Sequence, residues 1–214
     1  MNILITGFDP FGGATINPAY EAVKRLPNQI GEAKLTKLEI PTVFKKDGEV
    51  LREAIEMKTP DVVLCIGQAG GRSMITVEKV AINLMEARIP DNEGQQPMDE
   101  PIAAGAKTAY FASLPVKAMV QNMKDHGIPA GVSYTAGTFV CNDIMYRLLH
   151  MIDTDYPNMR GGFIHVPYLP EQGVSLADGT ATMSADVIAQ ALTYAIEAIV
   201  QHEDDIKGVG GTIM

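Results

Sequence analysis

Apolar runs alternate along the chain with segments whose apolar residues recur at helical spacing. Asp61–Gly67 is apolar after its first residue and ends in glycine, which predicts a buried strand. Asp47–Met57 places its apolar residues on one face and predicts a helix. Strands separated by helices in this rhythm are typical of an α/β fold, with a mostly parallel twisted central sheet covered on both faces.

The same reasoning predicts further elements before and after this pair. Strands are expected over 2–6, 34–40, 131–134 and 161–166, and helices over 18–26, 115–126, 141–152 and 185–201. Asn17 followed by Pro18, and Ser184 ahead of the last helix, are typical N-terminal caps. Three stretches break the rhythm: 7–13 is too rich in glycine and proline for regular structure, 73–83 reads as one extended segment, and 88–94 is a polar loop.

Length and charge restrict what the chain can be. Its 214 residues suit a single domain over 1–214 with a sizeable core. The net charge of −9 disfavours nucleic acid and anionic membranes as partners, and no apolar run approaches the about 20 residues that span a bilayer. Without a recognisable signal peptide, the two cysteines are expected to be reduced thiols in the cytoplasm. The four histidines have no metal-ligand spacing, so no metal is expected.

Cys141 lies where a small-residue turn passes into a helix. Unpaired backbone N–H groups and the positive end of the helix dipole favour a thiolate at this position, and the thiolate is the nucleophilic form. The same N–H groups could hold the oxyanion of a tetrahedral intermediate. The alternative is a cysteine that serves as a small buried apolar residue, which is how we interpret Cys65 in the middle of its strand.

His165 and Glu78 are the candidate partners of this thiol. Imidazole titrates in the range that a general base requires, and His165 ends a strand that Pro167 stops. Alternation along 74–82 puts Glu78 on the face shared by Val80 and Ile82, where a carboxylate needs a partner. The alternatives are a satisfied core histidine and an exposed glutamate on an edge strand.

The remaining candidates line loops that are expected to meet at the carboxyl ends of the strands, together with Cys141 and His165. Phe8 and Phe11 stand in the glycine-rich loop and could wall a flat apolar pocket or anchor the loop. Gln68 begins a second glycine-containing loop, 68–72. Arg88 could close over the site or be a solvated charge. Gly12-Gly13 gives only a weak phosphate-binding signal, because neither a GxGxxG motif nor a Walker lysine accompanies it.

Five segments, taken in order, resemble those of the type I pyroglutamyl peptidases, also called pyrrolidone-carboxylate peptidases. They are Gly7–Gly13, Gly70–Arg72 with Ile75–Asn83, Ala87–Asn92, Ala136–Asn142 and His165–Tyr168. The resemblance is collinear from residue 3 to about residue 200. It implies an α/β/α sandwich of three layers, a cytosolic cysteine peptidase that removes N-terminal pyroglutamate from peptides, no cofactor, and a homotetramer.

The resemblance also implies roles for individual residues. Cys141 would be the nucleophile, His165 the general base and then acid, and Glu78 the carboxylate that orients His165. Phe8, Phe11 and Phe139 would line the lactam pocket, and Arg88 would lie close to the cysteine. We include Asn17 and Gln68 among the candidate substrate-binding residues.

Two other classes of function fit the residues taken alone. The glycine loops could belong to a module that binds an anion or a nucleoside, and Cys141 could be a redox-sensing thiol. Turnover of a pyroglutamyl amide distinguishes the peptidase from both.

Overall fold

The computed structural model describes residues 1–211, and its centre is a seven-stranded sheet. The nine strands of the described chain are β1 Asn2–Phe8, β2 Gln29–Ile30, β3 Ala33–Ile40, β4 Val62–Gln68, β5 Ile75–Glu78, β6 Val80–Ile82, β7 Ala109–Phe111, β8 Ala130–Ser133 and β9 Arg160–Val166. The order in the large sheet is β2-β3-β1-β4-β9-β5-β8, and β6 and β7 form a separate antiparallel pair.

The described residues also form six helices, of which the last two follow β9. They are α1 Pro18–Arg25, α2 Lys46–Lys58, α3 Val116–Asp125, α4 Val140–Thr154, α5 Pro170–Gly173 and α6 Ala185–Gln201. Helices α1, α3 and α6 pack together on one face of the sheet, and α2 and α4 pack together on the other. The predicted three-layer α/β/α architecture is confirmed.

The long predicted strands and helices are present, and their ends agree to within two residues. Asn17 caps α1, because its side chain accepts the N–H of Ala19, and Ser184 caps α6 by accepting that of Val187. The short elements β2, β7 and α5 were not predicted, since each is too short to show a period.

The central strands are parallel, but the direction reverses at both ends of the sheet, at β2 and at β5. Strands β3, β1, β4 and β9 run in one direction, whereas β5 pairs antiparallel with β9 and parallel with β8. The rule that ligands collect at carboxyl ends therefore applies to β1, β4 and β9 but not to β8. The segment 134–139 instead brings the chain from β8 back to the start of α4, which carries Cys141.

Two predicted stretches differ from the structure. Gly7 and Phe8 belong to β1 rather than to an irregular loop, because Gly7 lets the backbone of α1 lie directly against the strand; an added Cβ would stand 2.7 Å from Cα of Tyr20. Residues 73–83 are not one extended segment, since the chain leaves the large sheet at Lys79 and β6 pairs with β7.

The buried apolar residues form one cluster that extends from Ile3 to Ile199. Past α6, Asp205 accepts the N–H groups of Lys117 and Ala118 at the start of α3, and the Gly210 carbonyl accepts the hydroxyl of Tyr134. None of the helices that the structure describes is long and apolar enough to cross a membrane. Thr212–Met214, the end of the predicted domain, lies outside the described residues.

Candidate active site

A cavity of about 270 Å³ opens beside the ends of β1, β4 and β9. Seven of the nine predicted site residues line it: Phe8, Phe11, Asn17, Gln68, Phe139, Cys141 and His165. The cavity therefore gathers loops that are far apart in the chain. Glu78 lies behind His165, and Arg88 is exposed and does not line the cavity.

Cys141 is the second residue of α4 and is partly buried. Its sulfur packs on the backbone of Gly67 at the end of β4, where an added Cβ would stand 2.9 Å from Sγ. The N-cap residue Phe139 has no side-chain acceptor to offer. Among the described hydrogen bonds, none engages the N–H groups of Val140 and Cys141, whereas those of residues 142 and 143 donate to the Phe139 carbonyl.

The electrostatics of the sulfur differ from the sequence-based expectation. Burial raises the pKa of the Cys141 thiol, and the nearby carboxylates of Glu78 and Asp47 raise it further, while Arg72 acts in the opposite sense. This direction is opposite to the thiolate that the helix terminus was expected to favour. These opposing charges are brought close only by the tertiary fold, so the local sequence did not reveal them.

His165 is buried near the end of β9 and contacts Glu78 directly. Its Nδ1 atom lies 2.7 Å from Oε1 of Glu78. Because an ionised carboxylate only accepts, Nδ1 carries the proton and Nε2 is left as the basic nitrogen. Burial lowers the pKa of His165, Glu78 opposes that effect, and Arg72 adds to it.

Glu78 is fully buried at the end of β5 and lies two residues along from the position opposite His165. Such a diagonal pair shares one face of an antiparallel ladder. Burial opposes ionisation of Glu78, but the hydrogen bond and charge of His165, together with the hydrogen bond from Arg72, outweigh it, and the pKa of Glu78 lies below its ordinary value. Glu78 is thus buried and partnered, as expected. The residues whose alternation was used to predict this, Val80 and Ile82, belong to β6 in the other sheet.

Arg72 is the guanidinium that lines the cavity. Its Nη1 atom donates to Oε1 of Glu78 at 2.7 Å and also to Oγ1 of Thr76, and Nη2 donates to the carbonyl of Thr135 at 3.3 Å. The resemblance assigned a place near the cysteine to Arg88. In the structure Arg72 lines the cavity, whereas Arg88 is exposed and is not among the lining residues.

Aromatic rings form one wall of the cavity. The ring of Phe139 lies 6.1 Å from that of Phe11 and meets Phe44 edge-on at 5.3 Å. Phe44 is buried behind the wall and was missed from sequence, because nothing in its own segment points to the cavity. Pockets with apolar walls and few polar groups are typical of small-molecule sites.

Asn17 and Gln68 add polar groups that are already engaged in part. The Asn17 side chain accepts from Ala19 and donates to the Asp9 carbonyl, so capping α1 uses its amide. Oε1 of Gln68 accepts from Gln172 at 2.9 Å. Gln68 therefore keeps its own NH₂ group for another acceptor.

The loop 88–94 supports the site from outside. Buried Asp91 accepts the N–H of Phe44, and Asn92 donates to the Pro10 carbonyl in the glycine-rich loop. This ties the loops on either side of the cavity together. Asp91 and Asn92 belong to the matched segment Ala87–Asn92, but their contacts could not be derived from it.

No group of three or more histidine, cysteine or acidic side chains within residues 1–211 could hold a metal ion. The arrangement is that of a thiol, an imidazole and an oriented carboxylate beside a small apolar cavity. Such a set can carry out acyl transfer.

Comparison with known proteins gives a consistent result. A family model described as pyroglutamyl peptidase matches residues 1–202. A pyrrolidone-carboxylate peptidase of Enterococcus faecalis is 60% identical over 212 residues, which cover 99% of each chain.

Solved structures agree with this match. The crystal structure of pyroglutamyl peptidase I from Bacillus amyloliquefaciens has a TM-score of 0.94 and 52% identity, covering 97% of this chain and 99% of that one. The pyrrolidone carboxyl peptidase from Thermococcus litoralis has a TM-score of 0.93 and 39% identity, with the same two coverages.

Proposed function

The chain belongs to the pyroglutamyl peptidase family, and from this premise we propose that Cys141, His165 and Glu78 are its catalytic triad. The protein is a cysteine peptidase that removes N-terminal pyroglutamate from peptides. The observation that carries the triad is the 2.7 Å contact between His165 Nδ1 and Glu78 Oε1, with His165 and Cys141 lining one cavity.

The reaction begins from the neutral thiol and the neutral imidazole, in accord with the directions of their pKa shifts. As Sγ of Cys141 attacks the carbonyl carbon that follows the lactam ring, its proton passes to Nε2 of His165. Glu78 stabilises the imidazolium that forms. The N–H groups of Val140 and Cys141 receive the oxyanion.

Collapse of the tetrahedral intermediate breaks the C–N bond. The imidazolium of His165 gives its proton to the departing amine, and the pyroglutamyl group remains on the sulfur as a thioester. Water, deprotonated by His165, then attacks the thioester. The C–S bond breaks, pyroglutamate leaves, and the imidazolium of His165 returns the proton to the Cys141 thiolate.

The cavity fits the neutral, flat lactam of pyroglutamate. Phe8, Phe11 and Phe139 supply apolar walls, and the free NH₂ group of Gln68 is a donor for the lactam carbonyl. A site built to hydrogen-bond a group rejects an analogue that lacks the group by roughly 10⁴-fold, because its buried donors are left unpaired. Proline is such an analogue.

The test compares hydrolysis of a pyroglutamyl chromogenic amide with that of its prolyl analogue. We expect turnover of the first only, loss of turnover in Cys141→Ser, and unchanged turnover with a chelator. Cys65→Ser is the matched control, because burial raises the pKa of Cys65 to about 12 and the residue lies in the core. Turnover by Cys141→Ser at the wild-type rate would rule out the proposed nucleophile.

We also propose that the chain is one catalytic domain, assembles as a homotetramer and works in the cytoplasm. The single apolar cluster supports one domain, and the two free cysteines suit a reducing compartment. Phe111 is 72% exposed on β7 and gives an apolar surface that a second copy could cover. Light scattering of the purified protein tests the tetramer, and cell fractionation tests the compartment.

A further inference from the structure

Two buried carboxylates outside the triad lie behind the cavity wall. Asp47 is in the first turn of α2, and Asp143 is in the first turn of α4, two residues after Cys141. Both are fully buried. A buried carboxylate is costly unless it is paired or neutral, and the mechanism above uses neither of these.

Asp143 has the contacts of an ionised carboxylate. Its Oδ1 and Oδ2 atoms each lie 3.0 Å from Nε of Arg147, and Oδ2 also accepts the backbone N–H of Lys45 at 2.9 Å. Both of its oxygens therefore accept from donors, one of which carries a positive charge.

Only one oxygen of the Asp47 carboxyl group accepts a hydrogen bond, and the nearest charged group is another carboxylate. The Oδ1 atom of Asp47 accepts the N–H of Gly48 at 2.6 Å, but Oδ2 is buried and no donor of the described chain reaches it. Gly48 lies against Arg147, since an added Cβ would overlap its Cδ atom, and Arg147 pairs with Asp143. Lys45, two residues before Asp47, also donates to Asp143, so the residues on both sides of Asp47 contact this ion pair. A proton on Asp47 Oδ2 would satisfy the orphaned atom with a hydrogen bond to Asp143.

The contact between Asp143 and Lys45 holds a strained turn. Lys45 has φ 68° and ψ −46°, and the N–H of Lys46 returns to the carbonyl of Phe44 at 2.8 Å. This is a γ-turn with positive φ, a rare conformation that persists only where its surroundings hold it. The turn orients Phe44, whose ring supports the cavity wall at Phe139.

We propose that Asp47 is a positioning residue that retains its proton at neutral pH and donates a hydrogen bond to ionised Asp143. This hydrogen bond holds the strained turn at Lys45 and the helix of Cys141 in one arrangement. The acid pair thus maintains the aromatic wall that binds the lactam. The link to substrate binding rests on the proposed function, whereas the protonation of Asp47 does not.

The charges around Asp47 agree with this assignment. Burial raises the pKa of Asp47 well above its ordinary value, Asp143 raises it further, and the N–H of Gly48 and the charge of Arg147 act in the opposite sense. The other titratable groups near Asp47 are Cys65 of β4 and Cys141 of α4, both neutral thiols at pH 7. If Asp47 ionised, Arg147 alone would face two carboxylates.

The first experiment measures the midpoint temperature of unfolding, Tm, against pH for wild type and Asp47→Asn. A group whose pKa is raised on folding contributes stability that is present below its unfolded pKa and is lost as pH rises towards its folded pKa. The amide of the variant keeps a donor for Asp143 and an acceptor for Gly48 but cannot ionise. We therefore expect the Tm of the variant minus that of wild type to grow by about 3–5 °C per pH unit above pH ~4.

Asp178→Asn is the matched control, since Asp178 is exposed and the same substitution there should give a Tm difference that does not change with pH. A constant difference for Asp47→Asn would overturn the proposal.

If Asp47→Asn does not fold, wild type alone answers the question. Unfolding at pH 7.5 should release about one proton from Asp47. The thiols of Cys65 and Cys141, once unfolding exposes them, should release about 0.2 proton in addition. Release of only the thiol fraction would mean that Asp47 is already ionised in the folded protein, contrary to the proposal.

The second experiment measures KM and kcat against pH. As Asp47 ionises in wild type with rising pH, we expect KM to rise, whereas kcat should depend only on the ionisation of the triad residues. We expect Asp47→Asn to abolish the rise in KM. An equal rise in both proteins would overturn the link to the cavity wall. If neither protein hydrolysed the substrate at any pH, the proposed function would fail, and the Tm series would still decide the protonation of Asp47.

Discussion

Arg72 donates from Nη1 to the same Oε1 atom of Glu78 that contacts His165 Nδ1, at 2.7 Å in both cases. One carboxylate oxygen thus connects a guanidinium to the imidazole. Burial lowers the pKa of His165; Glu78 opposes this effect and Arg72 reinforces it. Removing Glu78 and removing Arg72 should therefore shift the pH profile of activity in opposite directions.

Replacing Glu78 by glutamine should lower kcat by roughly 10–100-fold, because the imidazolium loses its charged partner. The pKa of His165 should fall further, since the contribution that raises it is gone. The acidic limb of kcat/KM should move to lower pH. Steady-state kinetics between pH 4 and 8 measure the shift, and an unchanged profile with full activity would exclude an orienting role for Glu78.

Replacing Arg72 by methionine should move the same limb to higher pH. Without the positive charge, the pKa of His165 rises, and that of buried Glu78 rises as well. We expect kcat to drop by roughly 10-fold and KM to change less. Arg52→Met is the matched control, since Arg52 is on α2 and pairs with exposed Asp155. A shift in the same direction as Glu78→Gln would contradict the assignment.

Alkylation of the substrate-free protein should show that Cys141 is a neutral thiol at rest. Burial and Glu78 raise its pKa, so the rate of reaction with iodoacetamide should keep rising as pH increases past 8. Mass spectrometry of the modified peptides locates the label, and Cys65 should remain unlabelled until the protein unfolds, because it is fully buried. A rate that reached its plateau below pH 7 would indicate a resting thiolate.

Replacing Gly67 by alanine should impair catalysis more than stability. The new Cβ would stand 2.9 Å from Sγ of Cys141 and 2.6 Å from Cζ of Phe163. Displacing a reacting atom by an ångström costs about 10²-fold in rate, whereas overpacking costs about 1–3 kcal/mol of unfolding free energy. Kinetics and thermal unfolding give the two values. Gly208→Ala should change neither, because no atom lies within 4 Å of the added Cβ.

The features that were predictable from sequence depend on local patterns. The cap at Asn17 with Pro18, the buried strand β4 and the position of Cys141 at the start of a helix each follow from a few adjacent residues. The five matched segments supplied the assignment to a family, which single motifs could not have done.

The features that were missed depend on contacts between distant segments. The reversal of β5 relative to β9 is set by tertiary packing, so alternation along 73–83 could not reveal that the chain leaves the sheet at Lys79. Arg72 and Phe44 acquire their roles from elements far along the chain. Burial raises the pKa of Cys141, and the carboxylates that raise it further come from two other segments.

The pairing of β5 with β9 also makes activity a measure of correct folding. Glu78 reaches His165 only in the register that sets Thr76 opposite His165, and a slip of one residue would turn the carboxylate to the opposite face of the sheet. A misregistered chain could keep its helices and most of its circular dichroism while lacking a competent base. In renaturation experiments, the time course of recovered peptidase activity should therefore reveal strand misalignment that a spectroscopic signal would overlook.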